Sequence, residues 1–441
     1  MHTSTALLTD HYELTMVDAA LQAGTAHRRS VFELFARRLS GARRYGVVAG
    51  TGRLLEALAH FRFAEAEIDF LREQRVVSDA TLDWLADFRF SGDIWGYPEG
   101  EVFFPGSPLI TVESSFAEGV LLETLALSIL NSDSAVATAA SRMSHAASGK
   151  PLAEMGSRRT GERSAVAAAR AAYIAGFSAT SNLEAGRSYG IPTMGTAAHS
   201  FTLLHDSERQ AFEAQVAALG TDTTLLVDTY DIEQGVRTAV EVAGTGLGAV
   251  RIDSGDLPVV VARVRRLLDE LGATRTRITV TNDLDEHTVA VLAAAPVDSF
   301  GVGTSVVVGS GSPTMGMVYK LVAHEDATGA WVSVAKKSAD KASVGGRKSV
   351  RRAYDARGIA TTELIFLGDG PGGEPEATGP AGATERDVLE PLVIDGAVKS
   401  GHTGAEGIAA ARDRHARRVS ELPHVAMSLT RGDPAIPTEY R

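Results

Sequence analysis

Between Leu152 and Leu321 short apolar runs recur, each closing on polar or glycine residues and followed by a helix-like stretch. The runs are Leu152–Met155, Ile174–Ala179, Ile191–Met194, Leu225–Val227, Ala249–Ile252, Ile278–Val280, Ser299–Val302 and Met317–Leu321. Their spacing, mostly about twenty to thirty residues, is that of βα units. Repeated βα units build a parallel sheet, open or closed into a barrel, with ligands at the C-terminal ends of the strands. Arg158, Asn182, His199, Asp228, Arg251, Asn282, Thr304 and Lys320 all fall at those ends. Polar residues gathered at one end favour a barrel-type active site. No sequence repeat underlies the regularity.

The flanks read differently. Up to about Glu118, helix-like and strand-like signals mix. Asp10 can cap a helix carrying Leu14, Val17 and Leu21, and Val31–Phe35 alternates like a half-buried strand. The stretch Ile94–Val112, broken by Pro98, Gly100, Pro105 and Pro108, reads as short strands joined by turns. That is an α+β lobe. Val120–Leu130 and Ser134–Ser148 read as two helices. Beyond Ala323 come Trp331–Val334, a basic run around Lys336–Arg352, a Gly/Pro/Glu-rich loop at 368–383 and a helix near Gly407–Leu422. The expected division is an α+β lobe at 1–118, an α/β barrel at 119–323, and C-terminal segments at 324–441 that return to cover the first lobe.

A chain of 441 residues exceeds one ordinary domain, and its 44% apolar and 22% charged content suits a globular protein. There are no cysteines, which excludes disulfides, thiolate catalysis and cysteine-held zinc. A net charge of −12 disfavours nucleic acid as a general partner. The opening residues do not read as a signal peptide, and no apolar run of about eighteen residues suggests a membrane span. A cytoplasmic location is expected.

Several segments carry chemistry. Glu154–Thr160 places Arg158 and Arg159 after a strand, where guanidinium forks match carboxylate or phosphate oxygens; a solvated loop would look the same. Ser181, Asn182 and Thr196 offer hydroxyls and an amide, which serve ligands or helix caps equally. His199 stands out among twelve histidines, because it follows the small residues Gly195–Ala198 at a strand-to-loop junction. A neutral imidazole there is a nucleophile or base near pH 7. Arg251–Asp256 joins a cation to Asp253, Gly255 and Asp256, a pattern for an anion beside ribose hydroxyls, a hydrated metal or a helix N-terminus. Asn282 repeats the polar ending. Phe300–Ser305 is a glycine loop whose Gly301, Gly303 and Thr304 can receive a monophosphate, as loops after late barrel strands do.

Together these segments resemble nicotinate phosphoribosyltransferases. The resemblance rests on Leu8–Met16, Glu154–Thr160, Ala179–Gly186, Gly195–Ser200, Arg251–Leu257, Thr281–Glu286, Phe300–Ser305 and Tyr319–Leu321, met in the family's order. His11 stands where an apolar residue is commoner, and the C-terminal region matches more loosely. The resemblance implies type II phosphoribosyltransferase architecture, an α+β sandwich with an irregular, TIM-like α/β barrel, paired as a homodimer. It implies condensation of nicotinate with 5-phosphoribosyl 1-pyrophosphate to nicotinate mononucleotide, coupled to ATP hydrolysis, with Mg²⁺ assisting. His199 falls on the transiently phosphorylated position, Tyr12, Thr196 and Arg251 on nicotinate-contacting positions, and Thr304 on a phosphoribosyl-binding one. The wider set expected around the phosphoribosyl and pyrophosphate groups is Arg158, Arg159, Ser181, Asn182, Asp253, Gly255, Asn282, Gly301, Gly303 and Thr304. The alternatives are a nicotinamide or quinolinate phosphoribosyltransferase, or a non-enzymatic nucleotide sensor. Intact His199, Arg251 and the Gly301 loop argue against the last.

Overall fold

The computed structural model describes residues 4–336, 343–368, 370–373 and 384–441. Of the expected loop at 368–383, residues 369 and 374–383 lie outside the described residues, as do 337–342 of the basic run. The chain forms two compact units, Met1–Thr138 with Ser312–Arg441, and Ala139–Gly311.

The first unit is built on a seven-stranded antiparallel sheet in the order Trp331–Ser333, Met317–Glu325, Arg29–Ala36, Pro108–Ser115, Asp93–Gly96, Glu390–Ile394, Ala397–Val398. Arg29–Ala36 is buried on both faces rather than one. Phe32 and Leu34 enter the main core, whereas Val31 joins Val322 and Ala323 in a small cluster. Glu33, on that second side, meets the buried Lys348 ammonium at 2.7 Å. A half-buried strand was the expectation; a central strand covered on both sides cannot be half-buried. The C-terminal segments belong to this unit, and charge ties them in. Glu101, wholly buried, accepts from Arg352 at 2.6 Å and lies 3.1 Å from both Arg386 and Arg418.

The division differs from the expected boundaries at 118 and 323. Glu123–Ala146 is one 24-residue helix that runs through the border at Thr138, not two helices. Met317–Glu325 is not a barrel strand: it pairs antiparallel with Arg29–Ala36, which removes Lys320 from the strand ends of the barrel. Phe116–Ala146 is also long and apolar enough to cross a membrane by composition, which the sequence reading did not anticipate. Its apolar window is 67% buried within the protein, as a core helix would be.

The second unit carries six parallel strands: β1 (Leu152–Glu154), β2 (Ala179–Thr180), β3 (Thr224–Leu226), β4 (Ala249–Ile252), β5 (Arg277–Val280) and β6 (Ser299–Val302). Their spatial order is β2-β1-β6-β5-β4-β3. First and last strands are thus neighbours, the cyclic order of a βα barrel. A single parallel bridge from Thr180 to Thr193 extends the β2 edge, and no ladder among the described residues joins that segment to β3. The barrel is irregular at that seam. Ile174 ends the helix α1 (Glu162–Ile174) instead of opening a strand. The strands are nearly continuous apolar cores, as parallel strands buried on both faces must be.

Candidate active site

Six βα loops and the Thr193 segment bring the chemistry to one end of the barrel. Two adjoining cavities of about 160 and 300 Å³ open there and share Met155, Arg158 and Arg251. The first is lined by Arg159, Asp253, Asn282, Gly301, Gly303 and Thr304 among others, the second by Ser181 and Thr196. The volumes suit a small, multipart ligand.

Arg251 points from β4 into both cavities. Its Nε donates to Thr281 Oγ1 at 3.0 Å, and its Nη1 reaches the Ala197 carbonyl at 3.3 Å and Thr196 Oγ1 at 3.5 Å. Nη2 lies 3.5 Å from Asp253 Oδ1, which also accepts from the Thr281 hydroxyl. The guanidinium is therefore aimed, with only 15% of the side chain exposed, and retains donor capacity toward the cavity. Arg158 and Arg159, on the loop after β1, are exposed and have no ion-pair partner among the described residues. Three cations thus face a cavity whose carboxylates are Asp253 and Asp283. Such a surface draws anions.

His199 opens the helix His199–Leu204 and lines neither cavity, but it adjoins the Thr196–Ala198 wall. Its Nε2 lies 3.1 Å from Oδ1 of the fully buried Asp228 carboxylate. Asp228 Oδ2 accepts from the Asp253 backbone N–H at 2.8 Å and from Ser254 Oγ at 2.7 Å. One carboxylate therefore links the imidazole to the loop bearing Asp253. Because Asp228 accepts from Nε2–H, Nδ1 carries the lone pair, and 39% of the imidazole side chain is exposed. Behind this pair, Glu208 has its carboxyl pushed up to about 7 by burial and by the negative charges of Asp231 and Asp228. Sequence reasoning had placed Asp228 at a strand end but not in the site. The signal was its position after Leu225–Val227; the partner is 29 residues away and only the fold supplies it.

Glycine serves the site by closeness. A Cβ on Gly301 would stand 2.6 Å from both Met155 Sδ and Thr281 Cγ2, so only a bare backbone fits between β1 and β5. Gly255 lines neither cavity; its φ of +87° makes the turn from β4 into the next helix. Thr304 starts a helix of a single turn, Thr304–Val307, too short for a helix dipole to add much to phosphate binding. What the loop offers is its backbone N–H groups and the Thr304 hydroxyl. Asn282 holds the uncommon φ of +112° at the cavity wall.

Of the expected residues in this unit, His199, Gly255 and Asn182 line neither cavity. Asn182 spends its side chain within the protein. Tyr12 belongs to the other unit, on the helix His11–Gln22, 44% exposed, with its hydroxyl pushed up to about 12 by burial and by Glu123 and Glu13.

The chain superposes on human nicotinic acid phosphoribosyltransferase with a TM-score of 0.82 and 25% identity, covering 98% of this chain and 97% of that one. Two units, an irregular parallel barrel and a cationic cavity at its strand ends define a type II phosphoribosyltransferase. Residues 7–131 match the family model of the nicotinate phosphoribosyltransferase N-terminal domain. A Mycobacterium tuberculosis nicotinate phosphoribosyltransferase is 54% identical over 443 residues, spanning 98% of this chain and 94% of its own. One from Bacillus subtilis is 36% identical, over 79% and 73% of the two chains. The chain belongs to the nicotinate phosphoribosyltransferase family.

Proposed function

We propose that the protein condenses nicotinate with 5-phosphoribosyl 1-pyrophosphate, giving nicotinate mononucleotide and pyrophosphate, and couples this to ATP hydrolysis through a phosphorylated His199. The named activity of relatives at 54% identity supports the condensation. The observation that carries the mechanism is the set of Arg158, Arg159 and Arg251 around one cavity, beside the His199–Asp228 pair.

The nicotinate carboxylate pairs with Arg251, whose guanidinium is already braced by Thr281 and Ala197. The pyridine nitrogen then attacks C1 of the ribosyl donor while the C1–O bond to pyrophosphate breaks. Positive charge gathers on the ribose ring, and negative charge on the departing pyrophosphate is met by Arg158 and Arg159. The Gly301–Thr304 loop and Thr304 hold the 5-phosphate, and Ser181 adds a hydroxyl.

Mg²⁺ fits the site in a particular way. Among the described residues no cluster of three or more His, Cys, Asp or Glu side chains forms a metal cage. Asp253 and Asp283 on the cavity wall are oxygen donors suited to a cation that keeps waters and takes further ligands from phosphates. Asp253 and Asp283 would hold Mg²⁺, which would supply charge neutralisation to the departing pyrophosphate.

In the coupled step His199 Nδ1 attacks the γ-phosphorus of ATP, ADP leaves with the electrons of the broken P–O bond, and Asp228 stabilises the positive ring. The added phosphate charge orders surrounding loops. A homodimer in the cytoplasm completes the reading, with Tyr12 supplied to a neighbouring subunit's pyridine ring.

The deciding experiment assays purified protein with nicotinate, nicotinamide or quinolinate, each with and without ATP, alongside His199→Asn. Nicotinate is expected to be the substrate used. In His199→Asn, slow product formation persists while ATP stimulation and acid-labile label from γ-labelled ATP disappear. Undiminished ATP stimulation in that variant refutes the histidine assignment.

A further inference from the structure

Asn182 follows β2 and would be read from sequence as a ligand to phosphate or ribose, yet both ends of its amide are engaged inside the protein. Its Oδ1 accepts the Ala185 N–H at 2.9 Å, capping the helix Leu183–Tyr189, and its Nδ2 donates to Ser157 Oγ at 3.0 Å. Ser157 immediately precedes Arg158 and Arg159.

The bond to Ser157 is the outer end of a buried relay. Glu154, the last residue of β1, is almost wholly buried, and its carboxylate accepts from Thr180 Oγ1 at 2.6 Å and from the Gly156 N–H. Thr180 Oγ1 in turn accepts the Asn182 N–H at 3.0 Å, and the Ser181 N–H bonds the Glu154 carbonyl at 2.8 Å. The loop after β1 is thus pinned to the loop after β2 from Gly156 through Ser157. Beyond that point the Arg159 N–H bonds the Gly156 carbonyl at 2.8 Å, but the Arg158 and Arg159 side chains have no partner among the described residues. Their placement depends on the pinned stem, because a guanidinium on an unpinned loop must be ordered at the ligand's expense.

We propose that Asn182 is a positioning residue, which through Ser157 holds the Arg158–Arg159 loop in place for the pyrophosphate group and touches no ligand itself. The inference rests on the reading of that loop as the pyrophosphate clamp.

The test is steady-state kinetics with Asn182→Ser, Ser157→Ala, their double variant and Arg158→Ala. Serine still caps a helix but is too short to reach Ser157, so the helix survives while the pin is lost. Each single pin variant is expected to raise KM for phosphoribosyl pyrophosphate about fivefold, the worth of one net hydrogen bond, with KM for nicotinate changed less than twofold. The double variant is expected to match the singles, because one bond cannot be broken twice. Additive effects, or equal rises in both KM values, overturn the proposal. Should Asn182→Ser fail to fold, Ser157→Ala carries the same test with the cap intact. Arg158→Ala separates the two readings. If it leaves KM for phosphoribosyl pyrophosphate unchanged, the clamp itself is wrong; if it raises that KM while the pin variants do not, only the positioning role fails.

Discussion

Replacing Arg251 is the sharpest probe of how the cavity recognises an aromatic acid. Arg251→Ala removes the guanidinium proposed to meet the nicotinate carboxylate. A hydrogen bond to a charged partner contributes about 1.5–3 kcal/mol, so KM for nicotinate is expected to rise about ten- to 150-fold. The substitution also strips Asp253 of the cation 3.5 Å away. That pair is partly screened by solvent and worth about 1 kcal/mol at most, so KM for phosphoribosyl pyrophosphate is expected to rise no more than about fivefold. Arg251→Lys should fall between. It keeps the charge, but one ammonium lacks the planar fork by which Arg251 reaches Thr281 and the Ala197 carbonyl from separate nitrogens while facing a carboxylate. Initial rates of nicotinate mononucleotide formation, with each substrate varied in turn, give both constants. Nicotinamide provides an internal control, since a neutral amide gains little from a cation; preference for the acid should shrink in Arg251→Ala. Equal losses for the two substrates, or an undiminished preference for nicotinate over nicotinamide, refute the carboxylate role.

Gly301→Ala places a methyl group 2.6 Å from Met155 Sδ and Thr281 Cγ2, and overpacking of this kind costs about 1–3 kcal/mol. Chemical denaturation should show that loss, and because Thr281 braces Arg251, KM for nicotinate should rise with it; unchanged stability and kinetics would contradict the packing argument. His415 lies on the helix Gly404–Ser420, and burial, with Arg412 nearby, pushes its imidazole down to about 4 from an ordinary 6.5. The folded state therefore resists a proton that the unfolded chain accepts, so stability present above pH 6.5 is lost as pH falls toward 4, by up to about 3 kcal/mol at 1.36 kcal/mol per pKa unit. His415→Gln should flatten this dependence in denaturant titrations across that range, whereas an equally steep variant would place the acid sensitivity elsewhere.

What the sequence conveyed about this fold follows from how parallel strands are buried. Covered on both faces, β1 and β3 to β6 read as short apolar runs, and the polar residue ending each run marks the open end of the barrel. Arg158, Asp228, Arg251, Asn282 and Thr304 were therefore visible as one group before any coordinate. The same rule misplaced Met317–Leu321. An apolar run does not reveal whether its neighbour runs parallel, and the partner Arg29–Ala36 lies almost three hundred residues away. The border at Thr138 was hidden for a related reason: it falls inside a continuous helix, where composition does not change.

Roles were harder to read than positions. An asparagine after a strand looks alike whether it caps a helix or binds a ligand, and Asn182 proves to be a cap and a pin. His199 could be suspected from its small neighbours, but the feature that leaves the lone pair on Nδ1 is Asp228, and nothing local joins the two. Only because β3 lies beside β4 does the Asp228 carboxylate reach both the imidazole and the Asp253 backbone. The chemistry is thus distributed as the barrel distributes its strand ends. Each loop supplies part of the site, while buried carboxylates, Glu154 under the arginine loop and Asp228 under the histidine, fix the loops against one another. Removal of either carboxylate should consequently disturb groups on two strands at once, which a residue acting on one loop alone could not do.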